Sequence, residues 1–240
     1  MMMKVPKRLK NVVCVLERAQ GAEFARGACQ EKARAFCSFV MDLADGAHTD
    51  DVDMDAHVVA RGVHATLWLL PDALPRAACD IGCAVARAAP PVRSLTTDAV
   101  PRPLRTSSTV APSLVPPALV AAVHALVRRV FPHVPASHYE PLQLTRYTRG
   151  QQYKLHLDNG GLPADNPRIA TVLVYLNDVP AAAGGATAFP RLRHSVQPAA
   201  GAALVFCPHD GGDELAHAAL PVLAGDKVVA QQWLRRCPAP

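Results

Sequence analysis

A segment near the middle of the chain shows the apolar spacing of a helix. Apolar residues recur there at i, i+3, i+4 and i+7, which is typical of a helix with one buried face. Its apolar residues are Leu119, Val120, Val123, Leu126, Val127 and Val130. Pro116-Pro117 opens this helix, and Phe131-Pro132 ends it. A second helix is predicted over about residues 74–89, following a short apolar strand at 65–70.

From Pro141 onward the period changes to two, which is the period of β-strands. Apolar and polar residues alternate over 142–147, and β-branched or apolar runs cover 168–177, 202–206 and 227–234. Turn residues separate these runs, and no helical pattern connects them. Short strands without crossover helices pair antiparallel, so the fold class is α+β with a mainly β core. The expected architecture is a jelly roll with flanking helices.

Residues 1–62 are expected to form an N-terminal extension that is partly helical, ahead of a domain over 63–238. The segment 22–44 has apolar residues near helical spacing. Asp51, Asp53 and Asp55 have the spacing of the start of a calcium loop. Ala56 stands where such a loop requires Gly, so we interpret this segment as a solvated loop.

Composition narrows the class of protein. The chain has 240 residues, half of them hydrophobic, which excludes a wholly disordered chain. A net charge of +5 is too weak and too dispersed to indicate nucleic-acid binding. The seven cysteines form no Cys-X-X-Cys pair, which favours reduced thiols. Neither a signal peptide nor an apolar run of about 18 residues is evident, so we expect a cytoplasmic protein without a membrane span.

One predicted strand carries a possible metal site. His156 and Asp158 lie two residues apart, so their side chains face the same way. Two histidines and one carboxylate with open positions are typical of non-heme Fe(II) oxygenases. The third ligand must come from a distant strand, and His194, His209 and His217 are the candidates. We expect neither His156 nor this third ligand to lie in the core.

A second requirement favours His217 as the third ligand. Oxygenases of this chemistry bind 2-oxoglutarate, whose distal carboxylate needs a fixed cation. Lys227 follows His217 by ten residues on the last predicted strand, whereas Ala219 and Leu204 stand ten residues after His209 and His194.

Several separated motifs support this interpretation. They are Arg105-Thr-Ser-Ser108, the run from Arg146-Tyr147 through Gly150-Gln151 and Tyr153 to His156-X-Asp158, Arg168 to Leu176, Gly184-Gly185-Ala-Thr187-Ala-Phe189-Pro190, Pro198 to Phe206, and His217-X-X-X-Pro221-Val222-X-X-Gly225-X-Lys227 followed by Trp233. In order and spacing they resemble the catalytic domain of the prolyl 4-hydroxylase family of Fe(II)/2-oxoglutarate dioxygenases, over about 70% of the chain, from Ala65 to Arg235.

The resemblance implies a double-stranded β-helix with the iron and cosubstrate site within 141–236. It implies roles for nine residues in three groups. The catalytic iron ligands are His156, Asp158 and His217. The residues that bind 2-oxoglutarate are Lys227, Tyr147 and Thr187. The residues that contact a peptide substrate are Tyr153, Arg168 and Trp233.

The implied activity is hydroxylation of prolyl residues in a peptide or protein, with release of succinate and CO2. Fe(II), 2-oxoglutarate, O2 and L-ascorbate are the implied cofactors and cosubstrates. One alternative is the same chemistry on another substrate, such as a different protein side chain or a nucleic-acid base. That last target requires stacking aromatics, and aromatic residues make up only 5% of the chain. Another is a metal-binding jelly roll without redox activity, which leaves Lys227 unexplained.

Overall fold

The structure is a computed structural model. It describes residues 56–62, 65–94, 104–208 and 212–239. The predicted helix over 22–44 and the acidic segment from Asp51 to Asp55 lie outside these residues. The chain divides into a unit of residues 1–53 and 128–133 and a second unit of residues 54–127 and 134–240. The second unit contains every strand described below.

The described residues contain two α-helices, α1 (Arg76–Ala88) and α2 (Pro117–Val130). Both agree with the predicted helices. The strands are β1 (His57–Arg61), β2 (Thr66–Leu70), β3 (Val92–Arg93), β4 (Ser108–Thr109), β5 (Gln143–Thr148), β6 (Tyr153–His156), β7 (Arg168–Tyr175), β8 (Thr187–Phe189), β9 (His194–Val196), β10 (Ala203–Phe206), β11 (His217–Ala219) and β12 (Asp226–Arg235). The four long apolar runs of the second half become β5, β7, β10 and β12.

The strands form two sheets. The larger has eight strands in the order β1-β2-β10-β7-β12-β5-β4-β3, and the smaller has four in the order β6-β11-β8-β9. The strand pairs are antiparallel, as the absence of crossover helices predicted. The predicted α+β class with a mainly β jelly-roll core is confirmed.

The larger sheet also includes residues that the sequence placed in the extension. β1 pairs with β2 along its length, with His57 opposite Leu69 and Arg61 opposite Thr66. We therefore propose that the oxygenase domain begins at or before His57 and not at residue 63.

One apolar cluster fills the space between the sheets. It joins Leu173 and Tyr175 of β7 and Phe206 of β10 to Phe189 of the smaller sheet. The other face of β7 is covered as well, because six consecutive residues up to Tyr175 are buried. A strand buried on both faces has a continuous apolar sequence, which explains the long β-branched run at this position.

Candidate active site

The two histidines of the site are direct neighbours across two strands. In the smaller sheet, His156 at the end of β6 pairs with His217 at the start of β11. Their ring centres are 4.2 Å apart. Because directly opposed residues of an antiparallel pair place their side chains on the same face, the register of β6 and β11 brings both imidazoles to one point.

Asp158 completes the cluster from just beyond the end of β6. Its Oδ1 lies 3.6 Å from His156 Nε2 and 3.7 Å from His217 Nε2. One potential ligand atom from each of the three residues lies within 4.8 Å of the others. The structure therefore brings together the three residues that the sequence selected. His194 lies on β9 and is not part of the cluster, and His209 is outside the described residues.

The outer nitrogen of each imidazole fixes its orientation. His156 Nδ1 lies 2.8 Å from the carbonyl oxygen of Lys154, and His217 Nδ1 lies 3.0 Å from that of Leu215. In the neutral ring, Nδ1–H donates to that carbonyl and leaves the lone pair of Nε2 facing the cluster. This is the arrangement that metal-binding histidines adopt.

Burial and mutual charge set the protonation states. Burial, followed by the neighbouring charge of His156, lowers the pKa of His217 to about 4. Burial alone would raise the pKa of the Asp158 carboxyl, but the charge of His217 and the hydrogen bond from His156 hold it well below its usual range. At neutral pH the cluster thus offers a neutral imidazole at His217 and a carboxylate at Asp158. Two nitrogens and one carboxylate oxygen, with no thiolate, fit a divalent iron ion.

Both rings pack against aromatic neighbours. His217 is only 4% exposed and packs against Phe189 and Phe206, at ring-centre distances of 5.2 and 5.1 Å. The expectation that neither histidine lies in the core is therefore wrong for His217, because it packs against two residues of the apolar cluster. His156 stacks on Tyr153, with ring centres 3.5 Å apart.

Lys227 is a buried cation beside this cluster. It is 1% exposed, and its Nζ donates to Thr187 Oγ1 at 3.1 Å. Its Nζ also lies 5.6 Å from the ring centres of Tyr147, the cross-strand neighbour of Lys227, and Tyr175. Burial lowers its pKa to about 7, and no carboxylate of the described residues offsets this effect. A buried ammonium group without an anionic partner fits an anionic ligand.

Tyr175 is a residue of this pocket that the sequence analysis did not select. Its hydroxyl donates to the same Thr187 Oγ1, at 2.9 Å, and burial raises the pKa of this hydroxyl. One signal was available in the sequence. Thr171 and Tyr175 are hydroxyl residues on the same face of the apolar run 168–175, and a buried hydroxyl requires a partner.

The three predicted substrate residues surround the metal cluster. Tyr153 stacks on His156 as described. Trp233 Nε1 donates to Asp158 Oδ2 at 3.1 Å, and the Arg168 guanidinium lies 3.6 Å from the centre of the Trp233 ring. Arg168 also forms a bidentate pair with Glu140, with two N–O distances of 2.7 Å.

Comparison with known proteins agrees with this geometry. Residues 142–235 match the sequence model of the 2OG-Fe(II) oxygenase superfamily. Prolyl 4-hydroxylase subunit alpha-1 of Gallus gallus is 41% identical over 109 residues, which is 40% of this chain and 20% of that protein. The chain thus spans about one fifth of the length of this relative.

Two solved structures share the fold. One is a viral collagen prolyl hydroxylase from Paramecium Bursaria Chlorella virus-1 in complex with 2OG, with a TM-score of 0.54 at 23% identity, covering 70% of this chain and 95% of that one. The other is a Pseudomonas putida prolyl-4-hydroxylase, with a TM-score of 0.54 at 21% identity, covering 83% and 98%.

Over residues 142–235, which include His156, Asp158 and His217, the chain is similar to 2OG-Fe(II) oxygenases. Over 109 residues it is similar to prolyl 4-hydroxylase alpha subunits. No helix of the described residues is long and apolar enough to cross a membrane.

Proposed function

We propose that this chain is an Fe(II)- and 2-oxoglutarate-dependent dioxygenase that hydroxylates prolyl residues in a peptide or protein, releasing succinate and CO2. The observation that carries this proposal is a buried cation beside a cluster of metal-binding side chains. His156, Asp158 and His217 form a metal-ligand set, and Lys227 is a buried cation close enough that its charge lowers the pKa of His217. A metal-binding jelly roll without redox activity has no use for that cation.

The protein residues divide into a metal-binding and an anion-binding group. His156, Asp158 and His217 would hold the iron, which with 2-oxoglutarate and O2 supplies the oxidising chemistry. Lys227 would bind the distal carboxylate of 2-oxoglutarate. Its ammonium group has three donors and uses one of them on Thr187, so two stay available.

The hydroxyl of Thr187 is oriented by two neighbouring donors. Its Oγ1 accepts a hydrogen bond from Lys227 and another from the Tyr175 hydroxyl, which together occupy both of its lone pairs. A hydroxyl group has one donor and two acceptor sites, so the Thr187 O–H can only donate. Lys227 and Thr187 thus both present donors to an anion, and the Tyr147 ring centre lies 5.6 Å from Lys227 Nζ. Tyr147 would bind the same anion, as the family resemblance implies.

The prolyl substrate class rests on the relatives, whose names describe them as prolyl hydroxylases. Tyr153 is half-buried and stacks on the iron ligand His156, which supports its predicted contact with the substrate. Arg168 and Trp233 are the other two predicted substrate contacts, and both donate hydrogen bonds to Asp158. L-ascorbate would keep the iron reduced, as the family resemblance implies.

We further propose a reducing, cytoplasm-like compartment. Cys79 and Cys83 are buried thiols on α1, and Cys237 is an exposed thiol. Alkylation after unfolding without reductant tests this point. Modification of all seven cysteines is expected, and recovery of protected pairs would contradict it.

Mass spectrometry of proline-rich peptides tests the activity. The full chain is incubated with Fe(II), 2-oxoglutarate and ascorbate, and the expected result is a gain of one oxygen atom on proline with stoichiometric succinate. A matched incubation with the His156→Ala variant controls for free iron. Succinate formation without peptide oxidation would support an oxygenase of the same chemistry acting on a non-prolyl substrate. Absence of both would contradict the proposal.

A further inference from the structure

The two oxygens of Asp158 have different surroundings. Oδ1 faces the Nε2 atoms of both histidines. Oδ2 points away from them and accepts two hydrogen bonds, from Thr171 Oγ1 at 2.7 Å and from Trp233 Nε1 at 3.1 Å. The carboxylate is 2% exposed, so both donors act where water is excluded. Hydrogen bonds to a charged acceptor are short and strong, and this pair holds the carboxylate plane in one orientation.

The larger sheet determines where these donors lie. Thr171 on β7 and Trp233 on β12 are direct cross-strand partners, so their side chains stand side by side on one face. The ligands, in contrast, come from the smaller sheet and the loop after it. The two sheets therefore meet at Asp158. Its Oδ1 faces the two histidines, and its Oδ2 is held by Thr171 and Trp233 of the larger sheet.

A second layer supports Trp233 from behind. The Arg168 guanidinium stacks on the indole at 3.6 Å, a cation–π contact. The guanidinium is itself fixed by the bidentate pair with Glu140, and its remaining nitrogen, Nη1, donates to the backbone carbonyl of Asp158 at 2.9 Å. The Asn159 side chain adds two hydrogen bonds to the backbone of Arg168. Each of the three guanidinium nitrogens thus has a partner in the protein.

We propose that Thr171 and Trp233 are positioning residues that confine Asp158 to ligation through Oδ1 alone, and that the Arg168–Glu140 pair holds Trp233 in place for this purpose. The inference rests on the proposed iron site and gives Arg168 and Trp233 a role that the family resemblance did not supply. Ligation through one oxygen leaves a position on the metal for cosubstrate. A carboxylate with both oxygens free can bind through both and block that position.

Binding of Co(II) to the metal-free protein tests the inference without turnover. The Thr171→Val and Trp233→Phe variants remove the two donors and keep the side-chain volume or the ring. Each should weaken Co(II) affinity by about tenfold, as loss of a hydrogen bond to a ligand does elsewhere. The double variant should also change the d–d absorption of the bound Co(II), which reports its coordination number. A residue that only stabilises the fold would leave that band unchanged.

Three further variants serve as controls. Thr171→Ser keeps the hydroxyl and should restore affinity to within about twofold. Thr145→Val removes another buried hydroxyl, and Trp68→Phe changes the other tryptophan of the chain. Neither residue contacts the cluster in the hydrogen bonds described, and both variants should bind Co(II) normally. Thermal unfolding of the metal-free proteins shows that each variant is folded before titration.

The outcomes separate this inference from the proposed function. If the wild-type protein does not bind Co(II), the iron site and this inference are both wrong. If the wild type binds Co(II), and Thr171→Val and Trp233→Phe match its affinity and spectrum, only the positioning role is wrong. Arg168→Lys keeps the charge but loses the planar stack and should weaken Co(II) binding about threefold to tenfold. Unchanged Co(II) binding with a raised KM for peptide would overturn the role of Arg168 and assign it to the substrate.

Discussion

Lys227 Nζ and the Tyr175 hydroxyl donate to one oxygen atom, Oγ1 of Thr187, at 3.1 and 2.9 Å. Thr187 lies on the smaller sheet, and the two donors lie on neighbouring strands of the larger one. This contact joins the two sheets beside Lys227, and the hydrogen bonds from Thr171 and Trp233 to Asp158 join them beside the metal ligands. The site is therefore bounded at both ends by polar contacts between the sheets.

Removing the charge of Lys227 should weaken the binding of 2-oxoglutarate and leave the binding of metal unchanged. Breaking a buried ion pair costs about 3–5 kcal/mol, because the other charge is left unpaired. Lys227→Ala should raise the KM for 2-oxoglutarate by roughly 100-fold or more, at about 1.4 kcal/mol per tenfold. Lys227→Arg should recover part of this loss, and both variants should bind Co(II) normally. A change in KM below about twofold would mean that Lys227 does not bind the cosubstrate.

The affinity for 2-oxoglutarate should decrease with rising pH. Burial lowers the pKa of Lys227 to about 7 in the ligand-free protein, and a bound carboxylate raises it again. Above pH 7, binding must therefore take up a proton, so affinity should fall about tenfold per pH unit until the pKa of the complex is reached. Calorimetric titration of the Mn(II)-loaded protein at pH 7, 8 and 9 measures this slope. Lys227→Arg stays charged throughout and should give a flat profile.

Tyr175→Phe should weaken the binding of 2-oxoglutarate and leave the binding of metal unchanged. The variant loses one hydrogen bond to Thr187 inside the core, which corresponds to about 1 kcal/mol of stability. Thr187 gains a free lone pair, so it no longer acts only as a donor, and the KM for 2-oxoglutarate should rise about threefold to tenfold. Tyr139→Phe is the matched control, since it removes the hydroxyl of another buried tyrosine, which donates to the Val134 carbonyl outside the site. Equal KM values for both variants and the wild type would contradict the role of Tyr175.

The two histidine variants should differ in stability although both lose iron. His156→Ala and His217→Ala each leave two ligands and should abolish iron binding and turnover. His217 packs against Phe189 and Phe206, so its loss leaves a cavity and should lower the free energy of unfolding by about 2–4 kcal/mol. The His156 side chain is 7% exposed but lies on an edge strand, where it stacks on Tyr153, so His156→Ala should lower the free energy of unfolding by less, about 1–2 kcal/mol. Denaturant unfolding of the metal-free proteins checks the order.

Gly184 should tolerate no side chain. Its φ is +72°, and a Cβ there would lie 2.4 Å from the carbonyl oxygen of Pro221. Gly184→Ala should therefore lower the free energy of unfolding by about 2–5 kcal/mol, the sum of left-handed strain and overpacking. Gly150→Ala is the matched control, because its φ is +81° and nothing lies within 4 Å of its Cβ position. It should lose only about 1–2 kcal/mol, the strain alone. Equal losses would show that the contact with Pro221 is relieved by movement of the loop.

Local spacing along the sequence determined the elements and most of the chemistry. The helical period predicted α2, and the change to a period of two predicted the antiparallel strands. Strand alternation placed His156 and Asp158 on one face, and the ten-residue spacing to Lys227 selected His217 over His194 and His209. These inferences succeeded because side-chain direction in a regular element depends only on position within that element.

The spacing of residues along the sequence does not predict strand register or the packing of one sheet on the other. Only the tertiary structure placed His217 against two phenylalanines and Tyr175 beside Lys227. It also placed Trp233 opposite Thr171, where both donate to Asp158. Each of these relationships joins residues far apart in the chain, and each depends on how two strands align or two sheets meet. Those alignments result from loop lengths and from packing of the whole core, to which many residues contribute and which no local pattern records.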